Sequence, residues 1–145
     1  MHIKRILFPT DFSSLSNYAR DYAITMAKTF QASVYILHAI EPISVSEREV
    51  DDEIEKFFSE LESEMMAKIS KEKDIFSAEG IEVETTVVVG KRWKTINSLA
   101  RDYDIDLIVI GSRGLQSASG EINIGTTSHK VAISSPCPVL IVREV

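Results

Sequence analysis

One cysteine in a chain of 145 residues excludes an intramolecular disulfide. Apolar runs are short as well, none approaching the roughly 18 residues that a membrane-spanning helix needs. The opening Met1-His2-Ile3-Lys4-Arg5 leads straight into a strand pattern, without the apolar stretch and cleavage site of a signal peptide. A cytoplasmic protein with no membrane partner is therefore expected. Positive charge is also scarce, at 16 Lys and Arg against 22 Asp and Glu, a net charge of −6. A broad nucleic-acid surface needs a basic face that displaces counterions, so none is expected here. The same deficit leaves a small anion admissible, because local amide dipoles hold such a ligand.

Several chemical signatures are missing too. No G-x-x-x-x-G-K-S/T is present, which removes a P-loop, and Gly90-Lys91-Arg92 has the wrong context for one. No G-x-G-x-x-G opens the first helix, and no G-x-S-x-G marks a nucleophile elbow. His38 and His129 are not spaced as a metal pair with each other or with Cys137, so both read as packing or surface residues. Cys137, between Pro136 and Pro138, suits a half-buried structural thiol. Neither a catalytic residue nor a metal site of protein ligands emerges.

What is present is an ordinary globular composition, 44% hydrophobic and 26% charged, with the length of a single domain over residues 1–145. Strand patterns run over Ile3 to Pro9, Val34 to Ile40 and Ile81 to Val89, then Leu107 to Ile110 and Val139 to Val142. Between them lie helical patterns. The first is capped by Ser13 or Ser14 and places Leu15, Tyr18, Ala19, Tyr22, Ala23, Met26, Ala27 and Phe30 on its apolar positions. The second, from Val50 to about Ala78, carries Ile54, Phe57, Phe58, Leu61, Met65 and Ile69 on one stripe. Its other face is acidic: Glu47 to Asp74 holds eleven Asp or Glu and five Lys or Arg. Pro42 to Glu49 is a polar connection. A third helix is marked by Ile96, Leu99, Ala100 and Tyr103, and a fourth opens at Gly125-Thr126-Thr127. Alternating strands and helices predict right-handed crossovers and a parallel sheet covered on both faces, an α/β fold.

In such a sheet ligands bind beyond the carboxyl ends of the strands, where the strand order reverses. Two loops at that edge stand out: Phe8-Pro9-Thr10-Asp11-Phe12 after strand 1, and Gly111-Ser112-Arg113-Gly114 after strand 4. Gly111 and Gly114 let the backbone approach a ligand closely. Gly125 stands at a helix start, where orphan N–H groups and the helix dipole favour an anion, and the hydroxyls of Thr126 and Thr127 add donors. The combination points to phosphate; glycines that merely shape a surface loop are the plainer reading. Asp11 suits a ribose hydroxyl, an adenine amino group or a metal, and equally a cap on the first helix. Arg113, the only cation between Asp106 and Ser128, is either a phosphate partner or a solvated side chain. Trp93 is either a packing residue, the plainer reading, or a stacking platform at the mouth of the loop before the third helix.

The chain resembles the universal stress protein family. The resemblance rests on Ile6-Leu7-Phe8-Pro9-Thr10-Asp11-Phe12-Ser13, on Leu37-His38-Ala39-Ile40, on Asp106 to Gly114, and on Pro136-Cys137-Pro138-Val139-Leu140-Ile141-Val142. It implies a Rossmann-like, three-layer α/β sandwich around a five-stranded parallel sheet of order 3-2-1-4-5. It also implies a homodimer through the last strand, Val139 to Val142, with a regulatory role in stress response and an unidentified protein partner. Nucleotide-binding members resemble G-x2-G-x9-G-S/T. Carried onto this chain, the pattern implies that Gly111, Gly114, Gly125 and Thr126 hold ribose and phosphates of ATP, with the Thr127 amide. Pro9 and Asp11 would border adenine and ribose, the backbone of Ala39 would meet adenine, and Mg2+ would sit mainly on the phosphates. Here Gly114 and Gly125 enclose ten residues rather than nine. An insertion at a loop tip costs little, yet it can displace the helix start. The competing expectation is a dimeric interaction module that binds no nucleotide. An adenylating enzyme would need an accompanying substrate domain. At most slow ATP hydrolysis is expected.

Overall fold

The computed structural model describes residues 2–42, 52–112 and 126–143. Among them the chain runs β1 (Arg5–Pro9), α1 (Ser14–Phe30), β2 (Ser33–Ile40), α2 (Asp52–Ala78), β3 (Val83–Val89), α3 (Arg92–Asp102), β4 (Leu107–Gly111), α4 (Thr126–Ser134) and β5 (Val139–Val142). The five strands form one sheet in the order β3-β2-β1-β4-β5, and every pairing is parallel. The polar connection expected over Pro42 to Glu49 falls, from residue 43 onward, outside the described residues.

Period-two alternation sorts each central strand between two cores. Ile6 and Phe8 of β1, Val34 and Ile36 of β2, and Leu107 and Val109 of β4 face Ala19, Ala23 and Ala27 of α1 and Ile69 and Phe76 of α2. Leu7, Leu37, Ile108 and Ile110 face the other way, onto Ile96 and Ala100 of α3 and Val131 of α4. Both faces of β1 are therefore covered, and Ile6, Leu7 and Phe8 are fully buried.

α1 begins where the hydroxyl of Ser13, in extended backbone, accepts the N–H of Ser16. It ends at Gln31, in the left-handed region (φ 54°), a site more often given to glycine. Its buried stripe is Ser16, Ala19, Ala23 and Ala27. Small side chains on that face let the helix lie close to the sheet. Of the apolar positions expected from sequence, Tyr18, Tyr22 and Phe30 instead lie on the exposed flank, 40–48% accessible.

The buried stripe of α2 is Met65, Ile69, Glu72 and Phe76, so it is the second half of this helix that covers the sheet. Phe57, expected on the stripe, is half exposed. Glu72 is tolerated inside because Arg20 of α1 grips it with two nitrogens, Nε to Oε2 at 2.8 Å and the second from a terminal nitrogen to Oε1. The hydrogen bonds to Glu72 raise the Arg20 pKa further, against the opposing effect of burial. Among the described residues no helix is long and apolar enough to cross a membrane.

Phe76 is fully buried and its ring lies 5.6 Å from that of Phe8, whereas Phe57 is half exposed on the same helix. Phe76→Ala is expected to cost about 3–5 kcal/mol in urea unfolding. Phe57→Ala should change stability by no more than about 0.5 kcal/mol, as a surface substitution does.

Candidate functional site

β1 is the point where the winding of the sheet reverses: the chain proceeds from it to β2 and β3 on one side and to β4 and β5 on the other. At such a reversal the connections leaving adjacent strands diverge to opposite faces and leave a crevice at their carboxyl ends. A cavity of about 520 Å³ occupies that position. Its size lies within the range of small-molecule sites, roughly 300–1,000 Å³.

One wall comes from the ends of β1 and β2 and the first turn of α1. Pro9, Thr10 and Asp11 line it, with Ala39 near the end of β2, Glu41 just after that strand, and Ser13 and Ser16 from the helix start. The segment is tightly tied. The Asp11 Oδ1 accepts the Ser13 N–H at 2.9 Å and the Ser16 hydroxyl at 2.7 Å. Thr10 donates its N–H to the Leu37 carbonyl, and its hydroxyl accepts the N–H of Phe12. Phe12 is held at φ 63°, an uncommon conformation for a side-chain-bearing residue.

His38 locks this loop from behind. Its Nδ1 is 2.8 Å from the Thr10 carbonyl, an acceptor only, so Nδ1 carries the proton and donates. The ring also stacks against Phe12, with centroids 4.7 Å apart, and the residue is 8% exposed. Burial lowers the His38 pKa below its ordinary 6.5; the Thr10 bond and Asp11 oppose this, and Arg92 and Lys68 add to it.

The other wall brings together Ile110 and Gly111 of β4, Thr127, Ser128 and Lys130 of α4, and Lys91, Arg92 and Trp93 at the start of α3. A Cβ on Gly111 would stand 3.2 Å from the Leu15 carbonyl oxygen, so the glycine lets the first turn of α1 approach β4 closely. That close approach within the fold was not legible locally, where Gly111 reads only as a place for a ligand. The Ser128 hydroxyl donates to the Gly111 carbonyl at 2.8 Å and ties α4 to the end of β4.

Of the residues singled out in the sequence, Pro9, Thr10, Asp11, Ala39, Gly111 and Thr127 line this one cavity. Ser112 is buried beside it, its N–H donating to the Val142 carbonyl. Thr126 is the first residue of α4. Arg113, Gly114 and Gly125 lie outside the described residues. Sequence reading missed the cations Lys91, Arg92 and Lys130. The available signal was Lys91-Arg92 directly after Gly90, which places them at the same carboxyl edge of the sheet. Among the described residues no group of three or more His, Cys, Asp or Glu is placed to hold a metal ion. Cys137 is half buried, and burial raises its thiol pKa, which suits an inert role.

A model of the universal stress protein family matches residues 2–143. The chain is 33% identical to universal stress protein YxiE of Bacillus subtilis, covering 96% of this chain and 98% of that one. It is 28% identical to universal stress protein MJ0577 of Methanocaldococcus jannaschii, over 97% of this chain and 95% of that relative. The solved structure of MJ0577 superposes with a TM-score of 0.77, covering 100% of this chain and 99% of that one. A universal stress protein solved in complex with cAMP superposes with a TM-score of 0.75 at 26% identity, covering 99% and 98% of the two chains.

Because the neutral form of His38 is favoured on folding, the unfolded chain takes up its proton first as pH falls through about 6.5. Stability should therefore decline between pH 6.5 and the lower folded pKa. His38→Asn, whose amide can still donate to Thr10, should flatten this contribution. Urea midpoints of both proteins at several pH values test it: an unchanged slope would mean that His38 does not titrate differently on folding.

Proposed function

The chain belongs to the universal stress protein family, and from that premise we propose that its cleft binds an adenine nucleotide, ATP in particular. The observation that carries this reading is the convergence of Thr10, Asp11, Ala39, Gly111 and Thr127 on one cavity of nucleotide size at the sheet's reversal point. A structural neighbour is known with cAMP, an adenine nucleotide, which supports the same ligand class.

In this reading Pro9, Thr10 and Asp11 border ribose and adenine, and the Ala39 backbone meets the base. Gly111, Gly114, Gly125, Thr126 and Thr127 cradle phosphate with amide donors, aided by Ser112 and Arg113. The N-terminal end of α4 supplies the positive end of a helix dipole. Mg2+ would be held mainly by the phosphates. The protein acts as a regulatory homodimer in stress response, pairing through β5. Among the described residues that strand is an outer edge of the sheet with the apolar sequence Val139-Leu140-Ile141-Val142, a surface that proteins protect or pair. Slow hydrolysis of ATP is the most that this reading includes.

A ligand that binds only the folded state at 100 times its dissociation constant stabilises by about 2.7 kcal/mol. Millimolar Mg-ATP is therefore expected to raise the Tm by several degrees, and Gly125→Leu is expected to abolish the rise. No shift with ATP or AMP would overturn the nucleotide reading in favour of an interaction module that binds none.

A further inference from the structure

Three cations stand on the α3 and α4 side of the cleft: Lys91, Arg92 and Lys130. Lys91 and Arg92 are consecutive, and Lys130, far from them in sequence, lines the same cavity. The Lys130 Nζ lies 5.7 Å from the ring centroid of Trp93, the residue after Arg92. Lys130 also follows Thr127 by three positions on α4, so the phosphate end of the cleft and this cationic wall are continuous.

Among the described residues these charges form no ion pair with a carboxylate: the ion pairs there are Arg20–Glu72, Lys28–Glu79 and Lys56–Glu60. The Lys91 side chain makes no capping bond at the start of α3. Arg92 is the sharpest case. Its Nε is shut off from solvent and has no hydrogen-bond partner. The Nε itself is closed to a ligand in the cleft, so it is the terminal nitrogens of this half-buried side chain that a phosphate would have to meet.

Two carboxylates share the cavity, Asp11 and Glu41. Asp11 is engaged with the start of α1, and a Glu41 oxygen lies 3.4 Å from the Arg92 backbone N–H. Among the described lining residues, three cations against two acids leave a local excess of positive charge in a protein whose net charge is −6. A neutral ligand would leave that excess unmatched, whereas an anionic one would meet it.

We propose that Arg92, together with Lys91 and Lys130, makes the cleft select nucleotides by phosphate number, binding the phosphates beyond the first. This inference rests on the adenine-nucleotide reading and adds specificity-determining residues to it. The planar guanidinium matches phosphate oxygens with directed N–H groups, and the lysines add point charges. AMP would engage Gly111 and the start of α4, whereas ATP would also reach the cationic wall.

Titration calorimetry with AMP, ADP and ATP, in chelator and at one fixed salt concentration, tests this on the intact protein. Affinity is expected to rise from AMP to ADP to ATP. Arg92→Gln and Lys130→Gln should each weaken ATP about tenfold while leaving AMP within about twofold, as loss of one charge-assisted contact implies. Lys130 is exposed, so its variant keeps the test open if Arg92→Gln does not fold. Equal affinity for AMP and ATP in the wild-type protein, or equal losses for both in the variants, would sink the selection while leaving nucleotide binding intact. Failure of all three nucleotides to bind would sink the nucleotide reading itself, and the selection with it.

Discussion

Everything in this protein is arranged around the double confinement of β1. It is hydrogen-bonded to β2 on one edge and β4 on the other, and its residues Ile6, Leu7 and Phe8 are sealed on both faces. A strand with no free edge and no free face has one register and one direction. Its carboxyl end is thereby held at the point where the sheet reverses its winding, and the cleft forms there because the connections on either side depart to opposite faces.

The two walls of that cleft are built differently. The β1 side is a hydrogen-bonded knot, in which Asp11 is bound to Ser13 and Ser16, Thr10 to Leu37 and Phe12, and His38 to the Thr10 carbonyl. These short, directed bonds hold even the left-handed Phe12 in place. Such a wall suits the fixed outline of a base and sugar. The α3 and α4 side carries three long cationic chains, Lys91, Arg92 and Lys130, beside Trp93 and Thr127. It suits diffuse negative charge. The two physical styles agree with one ligand that is planar at one end and anionic at the other.

The protein's acidity and its cationic wall are compatible because the charges are segregated. Acidic residues concentrate on the outer face of α2, in contact with water, where they cost little and contribute little to the field inside the cleft. Glu72, the acid on α2 that is buried, is matched by Arg20. The fold thus presents an acidic exterior and one locally positive recess.

Periodicity alone was enough to establish the succession of strands and helices and the covered parallel sheet, because burial on both faces imposes continuous apolar strands and striped helices. Composition and missing motifs likewise excluded a disulfide framework and a P-loop. What required the tertiary structure was every relation between distant residues. Tyr18 and Tyr22 share the spacing of an apolar stripe with Ala19 and Ala23, yet only the small residues fit against the sheet. Glu72 interrupts its stripe and is admitted because Arg20 faces it across 52 positions. Gly111 reads locally as a loop glycine, but the backbone of Leu15 gives it a second reason to lack a side chain. Lys91, Arg92 and Lys130 belong to no motif, and the order of strands brings them to one cavity. Local sequence encodes which face of an element prefers water; only packing decides which charges meet, since that depends on elements far apart in the chain.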